Sequence, residues 1–497
     1  MKRILILPVL NILLLVSQAQ INIYSALTIP DSLRQNADMV IREENIKLSV
    51  KDKNTARYEV HQVFTILNEQ AKRFLRFRQD SDKFQGLDDA EIKLYDVMGN
   101  KKNTWSKRDM TSGKYGDELV PDGKITYFDV NAPSFPVTVE FNYSIKFKGI
   151  FVLPGYEMQS PWQSIQHSVY EVEVPGDLGV RYKMVNTDMQ PRLRKDGGKD
   201  IYTWEQKNVK AYKLEKHSGS AYSYEPLVLL GPNKFQLDDY DGDMTSWKNF
   251  GSWIENLYSK TTALSEDKKQ FYQQMVKNAA TDREKAEILY NYMQHNMRYV
   301  SIQLGIGGLR PFPASFVDDK KYGDCKALSN YLKSALDAVG IKSNLIIIQG
   351  SMTPREVYED FSASYFNHVI LNIPQKGDTI WLECTSTTLP FGELGPWTEN
   401  RKGMMVTAQG GVLVNTPKSN YANNTESINS LIEVNGEWIM PDFILPKLNN
   451  FIIEFKGMDE LEYNEKFERK LQILAAAGMR VMVLRERDLE RIREIIV

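Results

Sequence analysis

Cys325 lies in the run YGDCKALSNYLKSAL, His368 follows in FNHV, and Glu383 in IWLEC. A thiol opening an amphipathic helix, then an imidazole and a carboxylate on later strands, is the order a cysteine nucleophile needs with its base and its orienting acid. The chain has only 2 cysteines and 5 histidines, so this coincidence of type and setting carries weight. A helix N-terminus favours a thiolate, a neighbouring imidazolium favours it further, and a carboxylate holds the ring in one tautomer. Glu383 follows His368 by 15 residues, enough for a hairpin that sets the two on neighbouring antiparallel strands. Asp324 reads as a structural helix cap.

Each residue type also has an ordinary role. An isolated Cys in an apolar helix belongs to the core, and a lone His on a strand is usually structural. The polar neighbours Gly323, Asp324 and Lys326 argue against burial of Cys325. A Cys325 to Cys384 disulfide is the other use of the two thiols, although two cysteines in a chain of this size make no disulfide framework.

Positioning such a site takes several elements. From about residue 40 to 240 the texture is strand-like: Tyr58, Val60, Gln62, Phe64 and Ile66 alternate, as do Val137, Val139, Phe141, Tyr143, Ile145 and Phe147 with polar residues between them. Strict period two implies one buried and one wetted face, hence an antiparallel, sandwich-like domain that folds as its own unit. Turns at Met98 to Asn100 and Pro121 to Gly123 separate strands, and Trp162 and Tyr170 are expected in its core. No nucleophile, base or metal-ligand cluster falls here, so the domain is read as a module for substrate or an envelope partner.

Between Met244 and Met297 the period becomes helical, with Trp247, Phe250, Trp253, Ile254 and Leu257, then Ala286, Leu289, Tyr290 and Met293. A second domain therefore spans 244–434. It contains a Gly- and Pro-rich loop from Gly305 to Pro313, the Cys325 helix ending at Gly340, and strands over Asn344 to Ile348, Val369 to Ile373 and Thr379 to Leu382.

The 497 residues suggest about three domains, and 42% hydrophobic with 25% charged residues is ordinary for a globular protein. A net charge of -2 offers no global attraction to nucleic acid or anionic membranes. At the N-terminus, Lys2 and Arg3 precede the apolar run Ile4 to Val16, and Ser17, Gln18 and Ala19 supply a signal-peptidase site. The run is shorter than the roughly 20 residues needed to span a bilayer. Residues 1–19 are thus expected to be a signal peptide, and the mature chain to be exported, periplasmic or extracellular, without a transmembrane segment.

The stretch from Arg298 to Ile341, RYVSIQLGIGGLRPFPASFVDDKKYGDCKALSNYLKSALDAVGI, together with FNHVILNIPQKGDTIWLECTSTTLPFGELGPWTENRKGMMV, resembles exported bacterial transglutaminase-like proteins that carry an N-terminal β-domain of unknown function. The resemblance covers roughly residues 40–434. It implies a papain-like α+β core with Cys325 as nucleophile, His368 as general base and Glu383 as third member, where many such proteins have Asp. It implies no cofactor, and a peptide or protein substrate. A thioester acyl-enzyme resolved by water would make a peptidase or amidase, and one resolved by an amine would make a cross-linker. The oxyanion would meet the backbone N–H of Cys325, with Gln303 as a second donor.

After about Gly436 the texture shifts again. Strands are expected over Glu437 to Phe443, Phe451 to Phe455 and Met479 to Leu484, with helices over Glu465 to Ala477 and Asp488 to Ile496. The run GEWIMPDFILPKLNNFIIEFKG, followed by a helix and VMVLRERDL, resembles a small, truncated form of the PD-(D/E)XK nuclease superfamily. That resemblance implies Asp442, Glu454 and Lys456 as a metal-dependent signature. An exported chain meets little DNA, and a solvated strand pair is the plainer use of Glu454 and Lys456.

Overall fold

The computed structural model describes residues 22–114, 123–215 and 218–419, and in the tail residues 432–434, 437–439, 443–445, 451–456, 461–476 and 481–485. The expected signal peptide, the Pro121–Asp122 turn, Asp442 and the expected last helix lie outside the described residues. Two compact units are present, residues 1–418 and 419–497. Among the described residues no helix is long and apolar enough to cross a membrane.

Eight strands make the main sheet of the first unit, in the order Arg192–Asp196, Lys199–Val209, Gln163–Pro175, Met39–Asp52, Thr55–Ile66, Val137–Lys148, Gln85–Tyr95, Lys101–Ser106. Two three-stranded sheets accompany it. One joins Val180–Val185, Leu227–Pro232 and Tyr156–Glu157, the other Arg76–Ser81, Lys124–Asp129 and Thr111–Lys114.

The expected antiparallel pairing needs one correction, because Met39–Asp52 and Gln163–Pro175 run parallel. More than a hundred residues of intervening chain supply the crossover that a parallel pair requires. The expected wetted face is also partly dry: Thr138, Glu140 and Ser144 are buried. Their strand is interior to the sheet, so they bond sideways, Thr138 to Thr65 at 2.8 Å, Glu140 to the Tyr95 hydroxyl at 2.6 Å and Ser144 to Arg57 at 2.9 Å. Tyr24 stacks on Tyr95 with ring centroids 4.3 Å apart, covering part of this face. Tyr170 is in the core as expected, whereas Trp162 is half-buried with φ of 57°.

The helices are α1 (Asp31–Arg34), α2 (Trp247–Tyr258), α3 (Glu266–Met275), α4 (Asp282–Asn296), α5 (Ala314–Lys320), α6 (Cys325–Ala338) and α7 (Leu461–Ala476). Ser246 caps α2 by accepting from Asn249, and Thr281 with Glu284 forms a capping box on α4. The periodic apolar residues expected on α2 and α4 are all buried. α3 escaped sequence reading because Tyr272 is the one residue it buries, leaving no apolar stripe to detect.

Helix α6 packs against an antiparallel five-stranded sheet ordered Asp378–Leu382, His368–Gln375, Asn344–Ile348, Lys402–Thr407, Gly410–Asn415. On the far face Ile346, Ile348 and Ile370 form a small cluster of their own. α2 presses on the last two strands so closely that a Cβ on Gly251 would stand 2.1 Å from the Gly411 Cα. The main apolar cluster is continuous across the unit, from Leu48, Tyr170 and Trp204 through Phe151 and Phe235 to Trp253, Leu289 and Leu332.

In the second unit Phe443–Leu445 pairs antiparallel with Phe451–Lys456, which pairs parallel with Val481–Arg485 after α7. Ile432–Val434 and Glu437–Ile439 form a separate hairpin. Glu454 and Lys456 fall on one face of their strand by spacing.

Candidate active site

Cys325 is the first residue of α6, where its backbone N–H has no intrahelical acceptor. Asp324 caps the helix, its carboxylate accepting from Ala327 N at 3.0 Å, and its other oxygen pairs with the ammonium of Lys326. Cys325 is 5% exposed, and Asp324 and Lys326 are buried with it. The polar neighbours therefore did not mark an exposed thiol. They are buried because they satisfy each other and the helix end.

His368 begins the strand beside Asn344–Ile348 and is 7% exposed. Its Nε2 faces both oxygens of Glu383, at 3.1 and 3.0 Å. The thiol of Cys325 lines the same cavity as this ring and is close enough to act on its charge. Since Nε2 is turned to the carboxylate, Nδ1 is the nitrogen left for the sulfur. Burial disfavours a charged ring, but Cys325 and Glu383 outweigh it and raise His368 to about 10. Burial likewise works against ionised Glu383, and its bond to His368 prevails and keeps the carboxyl below its ordinary range.

Glu383 stands just past the end of Asp378–Leu382 rather than within the strand. There its Oε1 accepts from Thr385 Oγ1 at 2.6 Å and from Thr385 N at 3.1 Å. Tyr290 and Gln294 of α4 fix the following loop, the Tyr290 hydroxyl donating to Glu383 O at 3.0 Å and Gln294 to Ser386 O at 2.9 Å. Asn367 exchanges two hydrogen bonds with Gly350, at 2.7 and 3.2 Å, and so pins the backbone before His368. The half-exposed Trp397 meets the His368 ring edge-on at 5.7 Å. Thr385, Gln294, Asn367 and Trp397 were not singled out in the sequence. Only Thr385, two residues after the acid, left a local signal, because a hydroxyl at that offset can turn back on it.

The two cysteines are both free, which removes the disulfide alternative. Cys384 is buried between Leu382 O, 3.8 Å from its sulfur, and Ser329. Burial pushes its thiol far above the ordinary range, so it is inert as a nucleophile.

A cavity of about 230 Å³ opens on the site, lined by Cys325, His368, Gln303, Tyr258, Phe151 and Ser364 among others. Gln303 is thus near the thiol, though its amide donates to Ser301 Oγ at 3.1 Å. Its loop is held from the N-terminal half: Lys83 pairs with Asp238 at 2.6 Å, and Asp238 accepts from Ile306 N at 3.3 Å. Gly305, at φ of 55°, is the position on that loop that requires glycine. A nucleophile, a base and an oriented carboxylate in one buried line, with a free N–H at the sulfur, can perform acyl transfer. Of the tail residues, the backbone places Glu454 and Lys456 on one strand, and Asp442 lies outside the described residues.

Residues 52–213 match the model of a Domain of Unknown Function, DUF3857. No curated protein matches the chain. Among solved structures, a candidate protease from Parabacteroides distasonis is similar at a TM-score of 0.57 and 13% identity, over 77% of this chain and 72% of that one. A candidate cysteine protease from Cytophaga hutchinsonii matches at 8% identity over 74% of this chain and 87% of that one, with a TM-score of 0.21. An M1 zinc metallopeptidase from Deinococcus radiodurans matches at 10% identity over 48% of this chain and 55% of that one, with a TM-score of 0.22. The last two are too different in shape to bear on this fold. Over residues 52–213 the chain is thus similar to a family without an assigned function, and its fold is similar to that of the Parabacteroides protein.

Proposed function

We propose that the protein is an exported, transglutaminase-like cysteine enzyme acting on peptide or amide bonds. The observation that carries this is that the buried Cys325 thiol shares one cavity with a His368 ring whose Nε2 lies 3.0 Å from Glu383. In this reading the sulfur attacks the acyl carbon, His368 gives its proton to the departing amine, and a thioester remains. Water then adds to the thioester, losing its proton to His368, and the thiol leaves with the acid as product. The backbone N–H of Cys325 would hold the oxyanion, with Gln303 swinging from Ser301 as second donor. Water is the acceptor rather than an amine because an extracytoplasmic setting supplies it in vast excess. Residues 40–240 would present substrate or bind an envelope partner, and cleavage near Ala19 would release the mature chain. No cofactor takes part in this scheme.

The test is iodoacetamide labelling followed by intact mass after incubation with envelope peptides, with and without a primary amine. Cys325 should label well before Cys384, more slowly after His368→Ala, and peptides should be cut without amine uptake. Equal, sluggish labelling of both thiols would sink the nucleophile, and a stable amine adduct as major product would make the enzyme a cross-linker. The near-complete burial of Cys325 favours a second reading, a binding or scaffold protein that keeps the fold without turnover. Full function of a Cys325→Ser strain would select it. The strand, strand, helix, strand order of the tail favours a separate nuclease-like reading of that unit, which divalent-metal-dependent cutting of DNA, lost in Glu454→Ala, would establish.

A further inference from the structure

A second cavity is larger than the one at the thiol. A space of about 640 Å³ lies over one face of the main sheet, closed by Tyr156 and Leu229 of a small sheet and by Tyr358 and Tyr365 of the segment before His368. That volume suits a small ligand or one side chain of a larger one. Phe151 and Ser364 line both this cavity and the one at Cys325.

The floor is mostly apolar, with Ile46, Val60, Phe64 and Phe141 beside Tyr58, Tyr143 and Gln163, and one polar row reaches it through Glu44 and Gln62. Gln62, Glu44, Ser168 and Gln206 sit in register on four successive strands. Glu44 accepts from Gln62 Nε2 at 2.5 Å and from Ser168 Oγ at 2.5 Å, and the Tyr156 hydroxyl meets Ser168 from above. Both donors to the carboxylate are neutral, and no ion pair reaches it among the described residues. Burial pushes this carboxyl upward, so keeping it charged is costly. An amide at this position could serve the same row if the Ser168 hydroxyl turned to accept from it, so the hydrogen bonds alone do not call for a charge.

The backbone is bent to aim Glu44 here. Ile41 pairs with Phe64 but Glu43 with Val63, so Arg42 is an extra residue in the strand. Plain alternation from Met39 and Ile41 would turn Glu44 to the opposite face. The bulge instead brings Glu44 onto the same cavity as Met39 and Ile46. Exposed charges at the edge are of both signs, Arg73, Arg76 and Arg355 with Glu157 and Glu356, and Arg76 is already paired with Asp129 at 2.6 Å, so the edge selects neither sign and the floor decides.

We propose that this cavity is a binding site for a primary ammonium or guanidinium group carried on an apolar or aromatic body, with Glu44 as its counter-charge. If the acyl-transfer reading above holds, the same site takes a basic side chain of the peptide substrate; that extension rests on the reading, but the binding does not.

Calorimetric titration of the full chain with phenethylamine and with neutral 2-phenylethanol tests it. The amine is expected to bind about tenfold tighter, and Glu44→Gln to bring the two probes within about threefold while leaving Tm unchanged or higher. Leu229→Trp, which narrows the cavity from a half-buried wall position without touching a charge, should weaken both probes. Cys325→Ser should bind as the wild type does, which keeps this result apart from the fate of the thiol. Equal binding of the two probes, amine binding untouched by Glu44→Gln or Leu229→Trp, or loss of binding in Cys325→Ser would overturn the proposal. If Glu44→Gln lowers Tm by several degrees, the row is structural and the assignment fails.

Discussion

A proton shared around His368 makes the candidate site sensitive to pH in a defined direction. The ring is raised on folding from an ordinary value of about 6.5 to about 10, burial opposing and Cys325 and Glu383 prevailing. Such a group stabilises the fold fully below its unfolded value, and the contribution fades as pH climbs through the folded one. Urea titrations at stepped pH should therefore show the wild type losing more stability between about pH 6.5 and 10 than His368→Ala does. Parallel curves across that window would mean the folded ring carries no such charge. Glu383 has the opposite sign: its carboxyl is lowered, so its contribution is present at neutral pH and lost in acid. The three residues and their order were legible in the sequence because each type is rare or sits in a distinctive setting. Thr385, Asn367 and Trp397 were not, because their roles depend on a loop and a strand end coming together in space.

Elements were legible where one face alone is buried. α2 and α4 follow their apolar stripes, and α6 begins at Cys325 and ends before Gly340, which has φ of 83°. Strands that are interior to a sheet carry polar residues on cross-strand bonds, so Thr138 and Glu140 gave a false sign of water. The hairpin of Lys402–Thr407 and Gly410–Asn415 was also missed, since three of its residues, Gly403, Gly410 and Gly411, are glycines placed for close approach rather than for strand propensity. That approach makes Gly251→Ala a sharp test of the α2 seat. With backbone 2.1 Å from the new Cβ, the helix must shift, at a cost of about 1–3 kcal/mol. A fall in Tm is expected, and an unchanged Tm would show that the helix rides free of the hairpin.

Taken as a whole, the first unit shares its apolar interior between the β-rich half and the helical half. Phe151, Phe235 and Leu237 of the former pack in one cluster with Phe250, Trp253 and Ile254 of the latter. The domain division near residue 240 is a proposal that this cluster bears on directly. A fragment of residues 22–243 is expected to be much less stable than the intact unit, since it leaves that surface wet. A soluble fragment with a cooperative melt and a β-type circular dichroism spectrum would instead establish an independent domain. Arg181 reinforces the join, donating to Met244 O at 2.6 Å and to Ser362 O at 2.8 Å.

Arg42, the extra residue of the bulged strand, also limits how far the N-terminus can be shortened. It is almost fully buried, and its guanidinium donates to Ser25 O at 2.7 Å, Thr28 Oγ1 at 2.8 Å and Gln166 Oε1 at 2.8 Å. Two of those three acceptors belong to the segment that would follow a leader cleaved near Ala19. A cut there leaves the clasp whole. Trimming to residue 29 would strand an enclosed cation, so stepwise N-terminal truncation should leave Tm level through residue 22 and drop it sharply once Ser25 and Thr28 are gone. The bulge thus fixes the latest residue at which the polypeptide could begin and still close the clasp around its buried cation.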